Sequence, residues 1–423
     1  MLKYILSKLA YGLLVLWGVV TVVFFIFTLG GDPVENLVAE NSTQEVKDAI
    51  RKKFNLDLPV GERYVHYLND LSPISLHGNG EDSRNRLDTS QYSVLLSAQL
   101  GSNTLAIKAP FLSRSYISER SVTAIIGDAL PGTAVLAIVA MIFAIILGLS
   151  IGVLSALNKD GLIDRVALVL SVLGMSGPSF FMAILVAWIG GYLWYETTTL
   201  TAWPIVFILL FVLAGLWRNK RVKKSLSEGL GKLGLIGAIM GLAFWILGGI
   251  FGGPLSEFVF RLPGTGLSMT GSLYDVDIWE GQVLNLKNLI LPALTLGIRP
   301  LAVIVQLTRN SLLEVMQQDY IRTARAKGLK ESAIIWRHAL KNALNPVLTA
   351  ISGWFASMLA GAVFVEFVFG WKGLGLETYS ALEKDDLPVV MGAVVVIASI
   401  FVVINLLTDL MYGVIDPRVR IRK

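Results

Sequence analysis

Residues 129–157 read ALPGTAVLAIVAMIFAIILGLSIGVLSAL, a run without a single Lys, Arg, Asp or Glu. About 20 consecutive apolar residues are enough for a helix to cross the hydrocarbon core of a membrane. The run is longer than that, and it lacks the alternation of apolar and polar residues that marks a strand of a membrane barrel. It therefore predicts a membrane-spanning helix.

The composition of the whole chain indicates the same environment. Of its 423 residues, 54% are hydrophobic and 16% are charged, and the mean hydropathy is +0.65. Soluble domains carry roughly 25% charged residues, so the deficit indicates a chain that lies mostly in lipid. The sequence contains no cysteine, which excludes disulfides, thiolate metal sites and cysteine nucleophiles.

The sequence predicts no binding site for a metal, a cofactor or a nucleic acid. The three histidines, His66, His77 and His338, are far apart and show no metal-ligand spacing. The formal net charge of +5 comes from Lys and Arg in short segments between apolar runs, where such residues orient a membrane protein. No stacking aromatic residues interleave with a basic face, so we expect no nucleic-acid partner.

Eight apolar runs predict an all-α, polytopic bundle of about eight transmembrane helices. Only helices or closed barrels satisfy the backbone in lipid, and long unbroken runs fit helices. The first run follows Lys3 and Lys8 and exceeds the roughly 7–15 residues of a signal-peptide core, which predicts a retained helix. The runs lie at 9–29, 129–157, 163–192, 204–217, 234–252, 289–309, 346–369 and 388–411.

The distribution of basic residues predicts the orientation of this bundle. With the N-terminus inside, the internal segments are 158–162, 218–233, 310–345 and the tail after 411, and they hold most of the loop Lys and Arg. The predicted external segment 193–203 has neither. Because short cytoplasmic loops carry the positive excess, we expect both termini in the cytoplasm.

A large external loop region, 31–127, separates the first two spans. Ser42 and Glu45 have the spacing of a capping box, which predicts a short helix from there to Phe54, ending before Pro59. The stretch from Ser72 to Asn103 is rich in Ser, Gly, Asn and Asp, a composition that predicts loop.

The internal segment Asp319-Tyr-Ile-Arg-Thr-Ala-Arg-Ala-Lys-Gly-Leu329 combines small, basic and apolar residues. A short helix here, ended by Gly328 and followed by another helix, would lie across the mouth of the bundle. Its small residues would admit a partner surface closely, and its basic residues would pair with acidic groups on that partner. From composition alone, an ordinary basic cytoplasmic loop is the better explanation of the segment.

This segment resembles the "EAA" coupling loop of the permeases of ABC importers, in the form of the dipeptide and oligopeptide subfamily. The general pattern is Glu-Ala-Ala, then Gly, then Ile-x-Leu-Pro. Here Arg322-Thr323-Ala324 takes the first place, Gly328 the second and Leu340 the Leu, while His338 and Lys341 replace Ile and Pro. The resemblance implies contact with an ATPase through Arg322, Thr323, Ala324, Arg325, Ala326, Lys327, Gly328 and Leu329.

Further motifs along nearly the whole chain share the resemblance, which is to the first-permease type. They are Gly31-Asp32-Pro33, Leu130-Pro131-Gly132-Thr133, Ser176-Gly177-Pro178, Leu291-Pro292-Ala293-Leu294, Leu307-Thr308-Arg309-Asn310, Phe369-Gly370-Trp371-Lys372-Gly373 and Asp416-Pro417-Arg418. The resemblance implies a multi-pass protein of the bacterial inner membrane that conducts dipeptides, oligopeptides, nickel chelates or similar small solutes. It also implies a second permease in a heterodimer, two ATP-binding subunits and an external substrate-binding protein.

The chain departs from this family at two places. Such permeases usually have six spans, and here a pair at about 204–252 appears inserted, while the external loop is enlarged around 73–112. The resulting division is 1–30 first span, 31–127 external loop region, 128–192 core, 193–253 inserted pair with a basic loop, and 254–423 core with coupling loop 313–345. No phosphate-loop motif is present, which agrees with ATP hydrolysis by partner chains and with no catalytic residues here.

Two charged residues are candidates to line the pathway. Arg299 lies near the middle of the run 289–309, and a mid-membrane Arg costs roughly 2.5–3.5 kcal/mol on insertion scales, so it should face the bundle interior or water. It would meet a peptide carboxylate, pair with Glu366 or Asp409, or lie shallower than it appears. Glu366, near the outer end of its run, would face the pathway or reach interfacial water. Gly177 and Pro178 predict a break inside a span.

Two rival functions are weaker. A proton- or sodium-coupled secondary transporter favours inverted repeats and buried acidic residues at mid-span, and the sequence shows no such repeat. A membrane-embedded enzyme needs paired catalytic groups within the spans, and none is apparent.

Overall fold

The computed structural model describes residues 2–29, 31–38, 42–80, 83–88, 91–196, 198–201, 259–277, 279 and 281–415. The chain divides into two compact units. The first unit is Met1–Ala137 with Phe355–Lys423, and the second unit is Ile138–Trp354.

Most of the described chain is helical. The helices are α1 (Leu2–Leu29), α2 (Val34–Leu37), α3 (Gln44–Lys53), α4 (Val60–Leu71), α5 (Val122–Leu157), α6 (Leu162–Ser176), α7 (Ser179–Val186), α8 (Ile290–Val315), α9 (Asp319–Ala326), α10 (Glu331–Ala333), α11 (Leu340–Gly361), α12 (Val363–Phe369), α13 (Leu374–Glu383) and α14 (Leu387–Ile415). π-Helical turns continue α7 through Leu193 and join α10 to α11, and a 3₁₀ turn precedes α8.

The strands form three small antiparallel sheets. They are β1 (Ile74–Gly78), β2 (Val94–Leu100), β3 (Asn103–Lys108), β4 (Thr198–Thr201), β5 (Val259–Leu262), β6 (Tyr274–Asp277) and β7 (Gly281–Leu284). The first sheet has the order β1-β3-β2, and the other two are the pairs β4-β5 and β6-β7.

The described helices include four to six candidate membrane spans. Four single helices have the length and composition to cross: Leu6–Thr28, Val122–Leu157, Leu286–Val315 and Leu387–Thr408. They confirm the helices predicted at 9–29, 129–157, 289–309 and 388–411, which are candidate spans. The predicted pair at 204–217 and 234–252 lies outside the described residues.

Two further predicted spans coincide with bent pairs of helices, each of which is a broken span or a re-entrant loop. The span at 163–192 consists of Leu162–Ser176 and Ser179–Leu193, which meet at an angle of 112°. Gly177 is extended at the C-cap of α6, and Pro178 precedes the first residue of α7, so the predicted break at Gly177 and Pro178 is confirmed. The span at 346–369 is divided between α11 and α12.

The core of the first unit joins α1, the start of α5, α13 and α14. Its buried members include Val20, Val122, Leu374 and Val390. α1 and α14 approach closely, because a Cβ on Gly12 would touch a methyl group of Val402. These apolar contacts hold the first and last spans side by side.

The part of the first unit between α1 and α5 differs from the prediction. The stretch from Ser72 to Asn103 contains strands, not loop alone, and helix α4 was not foreseen. The sheet was not predicted because its burial pattern is the opposite of the usual one. The polar residues Ser75, His77 and Lys108 are buried, while the apolar residues Ile74 and Leu76 are exposed. Alternation of that kind does not resemble a strand with an apolar inner face.

The start of α3 is also corrected. The helix begins at Gln44, its N-cap is Thr43, and no side chain caps it. The capping box predicted for Ser42 and Glu45 is therefore wrong. The predicted end is confirmed, since Phe54 is the C-cap residue. α4 then packs against α1, with the Tyr64 hydroxyl 2.6 Å from Thr21 Oγ1.

The second unit is built around α8. Glycines on its neighbours permit close approach: a Cβ on Gly148 would lie 2.7 Å from Ile304 Cγ2, and a Cβ on Gly152 would lie 2.7 Å from Thr308 Cβ. Gly174 of α6 lies against Ile298 in the same way. Separations that short leave no room for a side chain, so α5 and α6 hold α8 firmly.

Candidate functional site

The segment Asp319–Leu329, identified from the sequence, forms a short helix and turn that follow the end of α8. α8 ends at Val315, a short turn leads into α9, and α9 ends at Ala326. Gly328 has φ +75°, and nothing lies within 4 Å of the position a Cβ would take. The predicted helix, its end at Gly328 and the following helix are therefore confirmed. The left-handed backbone, not a lack of space, is what favours glycine here.

One face of α9 packs against the rest of the second unit. Ile321 is fully buried and Ala324 nearly so, in a cluster that also contains Val153, Leu312 and Ile334. These contacts fasten the short helix to the ends of α5 and α8. A force applied to α9 therefore reaches α8 and α5 directly through packed side chains.

The opposite face of α9 and the turn after it are exposed. This face comprises Arg322, Thr323, Arg325, Ala326, Lys327, Gly328 and Leu329. The exposed residues thus include seven of the eight for which an ATPase contact was implied, and Ala324 lies on the packed face instead.

Two ion pairs organise the charges of this surface. Arg325 Nε donates to Glu331 Oε1 over 2.7 Å, and this hydrogen bond raises the pKa of the guanidinium. Arg322 Nη1 lies 3.4 Å from Asp319 Oδ1. Exposed pairs of this kind contribute little to stability, so both arginines remain available to an acidic partner.

Two exposed aromatic residues, one in α9 and one in the π-helical turn after α10, were not foreseen. Tyr320 is 42% exposed, and its hydroxyl oxygen accepts a hydrogen bond from Asn342 Nδ2 at 2.8 Å. Trp336 is 67% exposed. Aromatic residues are enriched at the buried centres of protein interfaces. Both residues are visible in the sequence, but the basic residues between them gave the more obvious signal.

A buried ion pair lies in the same unit and joins three helices. Arg309 of α8 donates to Asp164 of α6 through Nε at 2.5 Å and Nη2 at 2.7 Å. Ser155 of α5 donates to the same carboxylate, and so does the backbone N–H of Asp160. The side chains of Asp164 and Arg309 are 2% and 14% exposed, so the carboxylate links α5, α6 and α8 away from water.

Glu366 is placed differently from the prediction. It is fully buried in the first unit. Its carboxylate accepts hydrogen bonds from Thr133 Oγ1 at 2.6 Å and from the Leu376 backbone N–H at 3.0 Å. Trp371 Nε1 donates to the Gly132 carbonyl nearby. The predicted position facing the pathway or interfacial water disagrees with this burial, because the carboxylate binds the start of α13.

Arg299 lies on an exposed face of α8. It forms no hydrogen bond or ion pair with another residue in the part of the chain that the structure describes. Its proposed partner Glu366 is satisfied without a cation, and the side chain of Asp409 is not among those described. Within the described residues, no group of three His, Asp or Glu side chains has a geometry that would hold a metal ion.

Comparisons with known proteins agree with these features. Residues 240–421 match the family described as "Binding-protein-dependent transport system inner membrane component". The chain is 31% identical to the dipeptide transport system permease protein of Escherichia coli K12, with 100% of both chains covered. It is 28% identical to the dipeptide permease of Alkalihalophilus pseudofirmus, covering 99% of this chain and 100% of that one. It is 29% identical to the di/tripeptide permease of Pseudomonas aeruginosa, covering 99% of each.

These similarities extend over the whole chain, and the apolar helices and packed α9 agree with them. Relatives of this kind are transport subunits, and ATP hydrolysis in such systems belongs to separate chains. The chain therefore belongs to the family of inner-membrane, multi-pass permease subunits of ABC peptide importers.

Proposed function

We propose that this chain pairs with a second, different permease to form a pathway for di- and oligopeptides across the bacterial inner membrane. An external binding protein delivers the peptide, and two ATP-binding subunits drive its passage. The observation that carries the proposal is α9, a short helix packed on the bundle by Ile321 and Ala324 with a basic face left open. The substrate class follows the names of the relatives.

The exposed face of α9 is the surface that receives an ATP-binding subunit. Arg322, Arg325 and Lys327 present positive charge, and complementary charge on a partner increases the rate and specificity of association. Tyr320 and Trp336 supply apolar area beside these charges. Closure of the ATP-binding subunits would displace α9 and, through its packed face, α8.

The arrangement in the membrane has eight spans, with both termini in the cytoplasm. The pair at 204–217 and 234–252 is an insertion into a six-span core, and the basic loop between its members faces the cytoplasm. The large region 31–127 lies outside. The placement of Lys and Arg supports this orientation, and tags accessible at both termini only from the cytoplasmic side would verify it.

Purification of the tagged chain in gentle detergent tests the assembly. We expect a second permease and one or two ATP-binding proteins to co-purify, and the reconstituted complex to import a labelled dipeptide when ATP is supplied. A chain that repeatedly purifies alone would contradict the proposal. Import of a nickel chelate with no import of peptides would agree with the proposed assembly but contradict the proposed peptide substrate.

Gly328 tests the coupling surface. A residue other than glycine in the left-handed region costs about 1–2 kcal/mol, so Gly328→Val should change the path of the chain after α9. We expect ATP hydrolysis to continue while uptake per ATP falls. Gly328→Asn is the matched control, because asparagine tolerates this region better. Equal loss in both variants, or normal uptake with valine, would contradict the argument.

A further inference from the structure

Three polar residues form a stripe along the membrane-spanning helix α8. Arg299, Gln306 and Asn310 are separated by seven and four positions. At 3.6 residues per turn, Gln306 and Asn310 lie within about 20° of Arg299 around the helix axis. Polar residues on one line of an otherwise apolar span are a feature that packing against lipid does not explain.

The stripe lies on the side of α8 that the second unit leaves uncovered. Arg299 and Asn310 are exposed and Gln306 is half-buried. By contrast, Ile304 and Val305 of the same helix are fully buried against the neighbouring helices. Among the described residues, the one side-chain hydrogen bond of the stripe comes from the neighbouring Arg309, whose Nη1 donates to Asn310 Oδ1 at 3.1 Å.

Lipid is an unfavourable environment for this face. A guanidinium at the centre of a bilayer costs roughly 2.5–3.5 kcal/mol on insertion scales, and Arg299 forms no ion pair among the described residues. The face therefore favours water or polar ligand atoms over hydrocarbon.

The chemistry of the stripe matches a short peptide with a free C-terminus. A guanidinium binds a carboxylate through two parallel hydrogen bonds, and side-chain amides both donate to and accept from peptide groups. Arg299 and Gln306 are about 10 Å apart along the axis. That distance equals the length of roughly three extended residues at 3.3–3.6 Å each.

We propose that Arg299, Gln306 and Asn310 form a peptide-binding wall of the pathway, with Arg299 holding the free C-terminal carboxylate of a di- or tripeptide. The inference rests on the proposed function of the chain as a peptide permease. It adds the residues that touch the substrate and the part of the substrate that they recognise.

The absence of cysteine from the chain permits a direct test. Single variants Gln306→Cys and Asn310→Cys are introduced into the complete complex, whose other subunits carry no cysteine, and treated with a charged, water-soluble thiol reagent. Such reagents attack the thiolate, which forms in water and not in lipid. The matched control is Leu170→Cys, on an exposed apolar face of α6.

We expect both stripe variants to react and the Leu170→Cys control to remain unmodified. A free-acid tripeptide should slow modification at Gln306→Cys. When Arg299→Gln is added, the concentration needed for this protection should rise about tenfold or more, since hydrogen bonds between charged groups contribute about 1.5–3 kcal/mol. Protection by the C-terminal amide of the same tripeptide should not depend on Arg299.

Unreactive stripe variants would overturn the inference, and so would modification that no peptide slows. Equal weakening of protection by the free acid and the amide would assign Arg299 to a structural ion pair instead. These failures are distinct from failure of the proposed function, because a complex that still imports peptides on ATP remains a peptide permease in each case.

Discussion

The buried pair between Asp164 and Arg309 gives the most quantitative prediction. Both side chains are almost fully enclosed, and the carboxylate also accepts hydrogen bonds from Ser155 and the Asp160 backbone. Replacing one member leaves the other charge buried without a counter-charge. The perturbation we propose is Asp164→Leu, which has a similar shape and no charge.

The expected cost follows from the geometry of the pair. Removing one partner of a buried ion pair destabilises proteins by about 3–5 kcal/mol. Total stabilities are about 5–15 kcal/mol, so the loss is a large part of the whole. Replacing both partners by apolar residues is often nearly neutral. The double variant Asp164→Leu with Arg309→Met should therefore recover most of the loss.

The assay is thermal unfolding of the purified chain in detergent, together with its steady-state level in membranes. We expect a markedly lower melting temperature and a lower level for Asp164→Leu, with both restored in large part by the second substitution. Lys159→Leu is the control, because it removes a charge at an exposed position in the turn just before α6 and should change stability by less than about 0.5 kcal/mol.

Two results would refute this reasoning. A single variant as stable as the parent would mean that water or lipid headgroups solvate Arg309 despite its burial. A double variant no more stable than the single one would mean that packing around the carboxylate matters, and not its charge.

Two other groups give predictions of their own. Glu366→Ala removes the acceptor for Thr133 and for the Leu376 backbone, which costs about 1–3 kcal/mol for each donor left unsatisfied. Glu366→Gln keeps one acceptor oxygen, so the melting temperature of this variant should fall less. An equal fall in melting temperature for both variants would contradict the hydrogen-bond account. Burial lowers the pKa of His77, so as the pH falls below about 6.5 the unfolded chain takes up a proton that the folded chain does not. The region that contains the β1-β3-β2 sheet should then become easier to digest by protease between pH 7.5 and pH 5, and His77→Gln should remove most of that dependence.

The sequence predicted the long spans well because apolar length alone determines them. The break at Gly177 and Pro178 was also accessible, since proline excludes the preceding residue from the helical region. The small sheet was not accessible. Its buried face carries His77 and Lys108, whose polar groups bind partners such as the Asn85 carbonyl and the Asp70 carbonyl. Patterns of hydrophobicity cannot anticipate such partners.

The functional surface shows the same division between local and distant information. The turn at Gly328 and the helix before it are determined by neighbouring residues, and the sequence predicted them. Asp164 and Arg309 are 145 positions apart, and the sequence around neither residue indicates that they form a pair. The sequence placed Glu366 only as an acid near a span end, because its partner Thr133 is 233 positions away and could not be identified.

The charges near the spans sort into two kinds, and the contrast bears on mechanism. Asp164 and Arg309 satisfy each other, whereas Arg299 has no partner among the described residues. All three belong to the second unit, and Arg299 and Arg309 share helix α8. Pro300, next to Arg299, is a natural point for bending, and after it Gly148, Gly152 and the Asp164 pair hold α8 against α5 and α6. In the proposed mechanism, displacement of α9 would move the part of α8 after Pro300 together with these neighbours and change its angle to the part that carries Arg299.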